Sequence, residues 1–141
     1  GSCINNGKPS ARAGIGIFFG DNDTRNVSKK VCGKQTNNVA ELLAVIGVYE
    51  KIKEDIKRKK IGIVTDSKYV LNCVGNYGKK CESNNWSHDI PNKVLVKQIY
   101  DLYKNEKNFY FIHIYSHTGK QDKHSIGNEK ADKLANLSIL N

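Results

Sequence analysis

Ile61-Gly62-Ile63-Val64-Thr65-Asp66-Ser67 is the stretch on which the fold turns. Its first five residues form a short apolar run of the kind found in a strand buried within a parallel sheet. Ser67 then reads as the cap of a short helix reaching about Cys73. Asp66 stands at the joint, just past the end of the strand, where ligand sites form in open α/β sheets.

Working upstream, residues 39 to about 57 give the clearest helix. Leu42, Leu43, Ile46, Tyr49, Ile52 and Ile56 recur at helical spacing. Asn38 reads as its N-cap and Glu41 as the capping-box partner three residues on. Arg58-Lys59-Lys60 closes the far end, where cations suit the helix dipole. Earlier still, residues 13–19 are β-prone, 20–26 are rich in turn formers, and 27–34 can return as a second strand of a hairpin.

Downstream, residues 75–91 show no sustained period and read as irregular. Residues 92–104 read as a helix and 108–115 as a strand. Residues 116–127 read as a loop and 128–140 as a terminal helix. Antiparallel strands first and βα units later indicate an α/β fold, one mixed sheet with helices packed on it.

At 141 residues the chain is one domain of ordinary size. Lys and Arg total 23 against 14 Asp and Glu, a formal net charge of +9 that favours an anionic partner such as nucleic acid. No run approaches the roughly 18 apolar residues of a membrane span, and no secretory signal is apparent. The four cysteines form no Cys-x-x-Cys pair, which argues against a zinc ribbon. They read as reduced thiols, so an intracellular site is expected, with nucleus and cytoplasm unresolved.

Three carboxylates stand at the edges of regular elements. Glu41 falls in the first turn of one predicted helix, Asp66 after a strand, and Asp132 in the first turn of the last predicted helix. Each has a plainer reading, as capping box, helix cap or dipole partner. Brought together they would repel one another, and each pKa would rise without a counter-charge. A divalent cation supplies that charge. Mg²⁺ favours oxygen ligands and retains several waters.

Four motifs, in order, carry a resemblance. They are Gly-Ser-Cys-x-x-Asn (1–6), Thr-Asn-Asn-x-x-Glu-Leu (36–42), Thr-Asp-Ser-x-Tyr-Val (65–70) and Ser-His-x-Gly followed by Gly-Asn-Glu-x-Ala-Asp-x-Leu-Ala (116–135). Together they resemble the type 1 ribonuclease H family, over nearly the whole chain. The resemblance implies a mixed five-stranded sheet with helices on both faces. It also implies a metal-dependent endonuclease that cuts the RNA strand of RNA–DNA hybrids with two divalent ions, Mg²⁺ or Mn²⁺.

By position, the resemblance makes Glu41, Asp66 and Asp132 metal ligands. It gives His117 the role of assisting proton transfer or product departure. Ser2, Cys3, Asn6, Asn37, Asn38 and Ser67 match positions that line the hybrid's minor groove, though turns and caps also use such residues. Residues 77–93 correspond to a basic protrusion that grips the DNA strand in some members, with Lys79, Lys80 and Trp86. Trp86 reads equally well as an anchor for its own loop. An RNA–DNA hybrid is the expected partner, and the domain is expected to act as a monomer.

The family places an Asp directly before Gly-Ser-Cys, together with most of a central first strand. The expectation is therefore of residues upstream of Gly1. Without that strand the ladders on either side lack partners, so residues 1–141 alone are expected to fold poorly and cleave little. Two other readings stay open. One is a nuclease-like module that binds hybrids without cutting them. The other is a connecting domain of a larger reverse transcriptase.

Overall fold

The computed structural model describes residues 1–140. Five strands and five α-helices follow in the order β1 (Ser2–Ile4), β2 (Arg12–Ile17), β3 (Val27–Lys30), α1 (Asn37–Ile52), β4 (Ile61–Thr65), α2 (Lys68–Val74), α3 (Asn76–Ser83), α4 (Lys93–Tyr103), β5 (Phe109–His113) and α5 (Lys123–Ser138). A 3₁₀ turn, Asp55–Lys57, follows α1.

The strands form two ladders rather than one continuous sheet. β1, β2 and β3 pair antiparallel, and β4 pairs parallel with β5. Among the described residues no ladder joins β2 to β4. The five expected strands are present, but an open seam divides them.

The period of two along β2 explains how helices cover both of its faces. Ala13, Ile15 and Ile17 are buried in a cluster with Val39, Ala40 and Ala44 of α1. Gly14 and Gly16 face α5 instead. A Cβ at Gly16 would overlap the Ala131 carbonyl oxygen, and one at Gly14 would overlap Ser138. Only the missing side chains let α5 lie this close to the strand.

The second cluster lies between α1, α4 and the β4–β5 pair. Leu42, Ile56, Val70, Cys73, Val96 and Ile99 are fully buried there. Tyr103 packs against Tyr49, Phe109 and Phe111 with ring centroids 5.1–5.8 Å apart. Its hydroxyl donates to the Val45 carbonyl at 2.9 Å, so the one polar atom of the wedge is satisfied.

Several local expectations need correction. Thr36, not Asn38, caps α1, its hydroxyl accepting from the Val39 N–H at 3.1 Å. Glu41 therefore sits in the second turn and makes no capping box. Residues 76–83 are helical rather than irregular, with Gly78 and Cys81 on the buried side. The last helix starts at Lys123, capped by Asp122, whose carboxylate accepts from the Ser125 N–H at 3.1 Å. Asp132 is thus in the middle of α5 and not in its first turn. Ser67 does cap α2, accepting from the Val70 N–H at 3.1 Å.

Candidate active site

At one end of the seam lies a cavity of about 450 Å³ whose lining includes Gly1, Glu41, Asp66 and Asp132. Three separate elements deliver the carboxylates. α1 carries Glu41, the end of β4 presents Asp66, and α5 brings Asp132 across the small side chains that let it settle on β2. All three groups are half-buried.

Each carboxylate has its own partner. Glu41 Oε1 lies 2.5 Å from the Gly1 ammonium. Asp66 Oδ2 accepts from Asn128 Nδ2 at 3.2 Å. Asp132 Oδ2 accepts from Asn136 Nδ2 at 3.4 Å, and the Ser2 hydroxyl in turn donates to Asn136 Oδ1. Ser2 is thereby tied to Asp132 through one amide.

Burial holds the Glu41 carboxyl above its ordinary pKa. The Gly1 ammonium pulls the other way, and the charges of Asp66 and Asp132 add to the rise. Burial therefore outweighs the neighbouring charges at Glu41. Lys123 and His124, at the start of α5, also line the cavity.

Carboxylate oxygens are hard donors of the type Mg²⁺ prefers, so the chemistry of the set fits a divalent ion. Its geometry is open. Among the described residues no group of three or more His, Cys, Asp or Glu side chains is disposed to hold one metal ion. The expected ligands Glu41, Asp66 and Asp132 share a cavity, and each has one oxygen engaged by a different partner.

The groove residues fall at the same end of the molecule in part. Asn6 Oδ1 accepts from the Asn37 N–H at 3.2 Å, which joins the β1–β2 turn to the start of α1. Cys3 Sγ contacts the Gln35 carbonyl at 3.8 Å. Asn38 is exposed beside them. The Ser67 hydroxyl is engaged as a helix cap.

His117 is not part of the cavity lining. It is exposed at φ +57° in the loop before α5, a left-handed conformation uncommon for a non-glycine residue. Lys79 and Lys80 are exposed on α3. Trp86 packs edge-on against Tyr100 at 6.1 Å and lines a separate cavity of about 140 Å³ with Lys80, Tyr77 and His88. Its ring contact within the protein supports the anchor reading.

Sequence reasoning missed Asn128 and Asn136, the amides that orient two of the carboxylates. Asn128 stood inside a quoted motif and could have been found there. Asn136 lies four residues after Asp132, one helical turn away, where side chains meet. His124 had no assigned role and lies at the cavity.

A profile of the RNase H family matches residues 1–139. The chain belongs to the RNase H family. It is 33% identical over 138 residues to a probable ribonuclease H of Acanthamoeba polyphaga mimivirus, covering 93% of this chain and 60% of that one. It is 30% identical to human ribonuclease H1, covering 96% of this chain and 46% of that one. It is 34% identical to the ribonuclease H of Francisella philomiragia, covering 89% and 82%. The chain thus spans about half the length of several relatives. The solution structure of the PFV RNase H domain superposes with a TM-score of 0.69, at 21% identity and over 97% of this chain and 88% of that one, and shares its fold. The family places this domain among RNase H folds despite its open seam. No helix among the described residues is long and apolar enough to cross a membrane.

Proposed function

We propose that this RNase H domain hydrolyses the RNA strand of RNA–DNA hybrids as a monomer. The observation that carries the reading is the meeting of Glu41, Asp66 and Asp132 on one cavity at the carboxyl end of β4, with Glu41's pKa raised chiefly by burial.

Glu41, Asp66 and Asp132 would hold the divalent metal, Mg²⁺ or Mn²⁺, which supplies Lewis-acid charge for the attack of water on phosphorus and for the departing oxygen. Asn128 and Asn136 orient the carboxylates of Asp66 and Asp132. Ser2, Cys3, Asn6, Asn37, Asn38 and Ser67 offer neutral polar groups and backbone along the same edge, suited to the 2′-hydroxyls of an RNA strand in a shallow groove. Lys79 and Lys80 serve the DNA strand from the α3 side, with Trp86 anchoring the loop that follows α3. His117, free in its loop, carries a proton to or from the departing oxygen. The products are a 5′-phosphate and a 3′-hydroxyl.

The test is hydrolysis of an end-labelled hybrid with Mg²⁺ and with EDTA, beside single-stranded RNA and duplex DNA. Cleavage of the hybrid alone, abolished by EDTA, is expected. Equal cleavage in chelator rejects the proposal.

One observation favours a second reading, a module that binds without cutting. The formal net charge of +9 suits an anionic partner whether or not that partner is cut. That reading expects salt-sensitive hybrid binding with no metal-dependent turnover.

A further inference from the structure

The basic run Lys57-Arg58-Lys59-Lys60, where the chain turns from α1 toward β4, divides into two halves. Lys57 Nζ lies 4.0 Å from Glu54, and Arg58 pairs with Asp55 at 3.2 Å. Lys59 and Lys60 are exposed, and neither has an acidic partner among the described residues. The same holds for Lys107, in the loop that leads into β5. The acids nearby are already engaged, Asp55 by Arg58 and Arg25, and Glu106 by the Tyr49 hydroxyl at 2.9 Å.

The parallel register brings these lysines to one corner. Ile61 lies beside Phe109 and Gly62 beside Tyr110, and the Ile61 N–H donates to the Asn108 carbonyl at 2.8 Å. Continued backwards, the pairing sets Lys60 beside Asn108 and Lys59 beside Lys107. Like charges side by side repel, and an anion between them turns the repulsion into attraction. Lys60 and Tyr110 are diagonal neighbours on one face, with the Lys60 ammonium 5.5 Å from the ring centroid. Asp66 follows the other end of β4, about 16 Å away at roughly 3.3 Å per residue. The corner is therefore separate from the carboxylates.

Tyr110 adds a second kind of group. A Cβ at Gly62 would meet the Tyr110 ring at 2.9–3.1 Å, so the ring lies across the glycine. The residue is still 47% exposed. Shielding of a strand glycine accounts for one face of the ring. It leaves the rest presented to solvent beside an ammonium. Unpaired bases offer π-faces that stack on such a ring, and the lysines around it suit the phosphates that link them. The bases of a duplex are already stacked on one another. An acidic peptide or a lipid headgroup would use the lysines and leave the ring idle.

We propose that Lys59, Lys60, Lys107 and Tyr110 form a binding site for single-stranded nucleic acid, at the end of β4 opposite the carboxylates. One unpaired base stacks on the open side of the Tyr110 ring, and the neighbouring phosphates lie against the three lysines. Stacking selects single strands over duplexes, and the lysines supply the salt-sensitive part of the affinity. The inference does not rest on the nuclease reading, since it concerns binding alone and involves no carboxylate.

The test titrates the full chain with decauridylate in EDTA and follows backbone amide shifts by NMR. Saturable shifts are expected at residues 59–62 and 107–110, and the affinity is read from those shifts alone. Tyr110→Leu keeps an apolar cover over Gly62 and removes the ring, and it should weaken decauridylate binding there by about tenfold. Lys59→Gln, Lys60→Gln and Lys107→Gln combined should reduce the slope of log K against log salt by about 2, at roughly 0.7 for each lost phosphate contact. Inorganic polyphosphate, which has charge and no bases, should bind the Tyr110→Leu variant as well as the parent. Absence of shifts at the corner with saturating decauridylate overturns the proposal, and so does an unchanged salt slope in the triple variant. Equal affinity of Tyr110→Leu and parent for decauridylate also overturns it, because the corner would then hold any polyanion by charge alone. Equal weakening of polyphosphate and decauridylate by Tyr110→Leu does the same, because the ring would then serve only to place the lysines.

Discussion

The two flanks of α1 are built on opposite terms. Against α4 and β5 the helix meets a closed aromatic wedge, in which Tyr103 is almost wholly buried and its hydroxyl has the Val45 carbonyl. Against β2 and β4 it borders an open seam with the carboxylates at one end and no ladder between the two strands among the described residues. The first flank spends its polar atoms inside the protein. The second gathers three carboxylates on one cavity. The contrast teaches that rigidity and reactivity are segregated here across the width of a single helix, so changes on one flank should leave the other largely untouched.

The largest effect is expected at the open flank. Asp66→Asn keeps an oxygen to accept from Asn128 and removes only charge. If the carboxylates act together, hybrid cleavage falls by about 10²- to 10³-fold, the loss typical of one electrostatic stabiliser. The thermal midpoint should stay within a degree or two of the parent, because the hydrogen bond with Asn128 is kept and a change of only about ±0.5 kcal/mol is expected. A large drop in the midpoint with cleavage preserved would erase the distinction between the flanks.

Next comes the contact that seats α5 on β2. Gly16→Val places a branched side chain where the Ala131 carbonyl and Ala135 nitrogen now lie. Helix α5 must lift from β2, at a cost of about 1–3 kcal/mol or more for overpacking, visible as a lower urea midpoint. Asp132 rides on α5, so cleavage should fall as well. This substitution is expected to couple stability to activity, which Asp66→Asn should not do.

On the closed flank, Tyr103→Phe keeps the ring packing and strands the buried Val45 carbonyl. The expected loss is about 1–3 kcal/mol in urea unfolding, with cleavage per folded molecule unchanged. Reduced turnover in this variant, measured well below its unfolding midpoint, would mean that the wedge reaches into the site.

The same contrast governs what could be read from the residues. The closed flank was legible because its apolar repeats are regular: Leu42, Ile46, Tyr49 and Ile52 on α1, and the run 61–65 on β4. The beginning of α5 was not, because Asp122, Lys123, His124 and Ser125 are polar and their helix is fixed by a cap and by packing further along. α3 was missed for a similar reason, since Tyr77 and Cys81 are its main inward apolar side chains amid Gly, Lys and Asn. At the open flank, motif spacing brought out the three carboxylates as a set. It could not show that each is turned to a different partner, nor that Asn128 and Asn136 hold two of them, because those pairings join residues up to 62 positions apart and exist only in the folded chain. The division of the sheet also lay outside the reach of local pattern, because strand propensity says nothing about which edges meet.

The smallest effect concerns cysteine chemistry, and it probes how closed the closed flank is. Burial pushes the Cys73 thiol from its ordinary value near 9 up to about 11, with Tyr69 opposing the rise and Cys81 adding to it. Cys32, by contrast, is exposed. At pH 8 iodoacetamide should label Cys32 readily and Cys73 only after denaturant is added, as read by mass spectrometry. The linked effect on stability has a definite sign. The folded chain holds the Cys73 proton more tightly than the unfolded chain does. The contribution is therefore fully present below about pH 9 and lost as the pH climbs toward about 11. Urea midpoints measured across that window should decline, and Cys73→Ser, which cannot form a thiolate, should remove part of the slope while costing stability at every pH. Equal labelling of Cys32 and Cys73 in the native protein at pH 8 would show that solvent reaches the closed flank of α1.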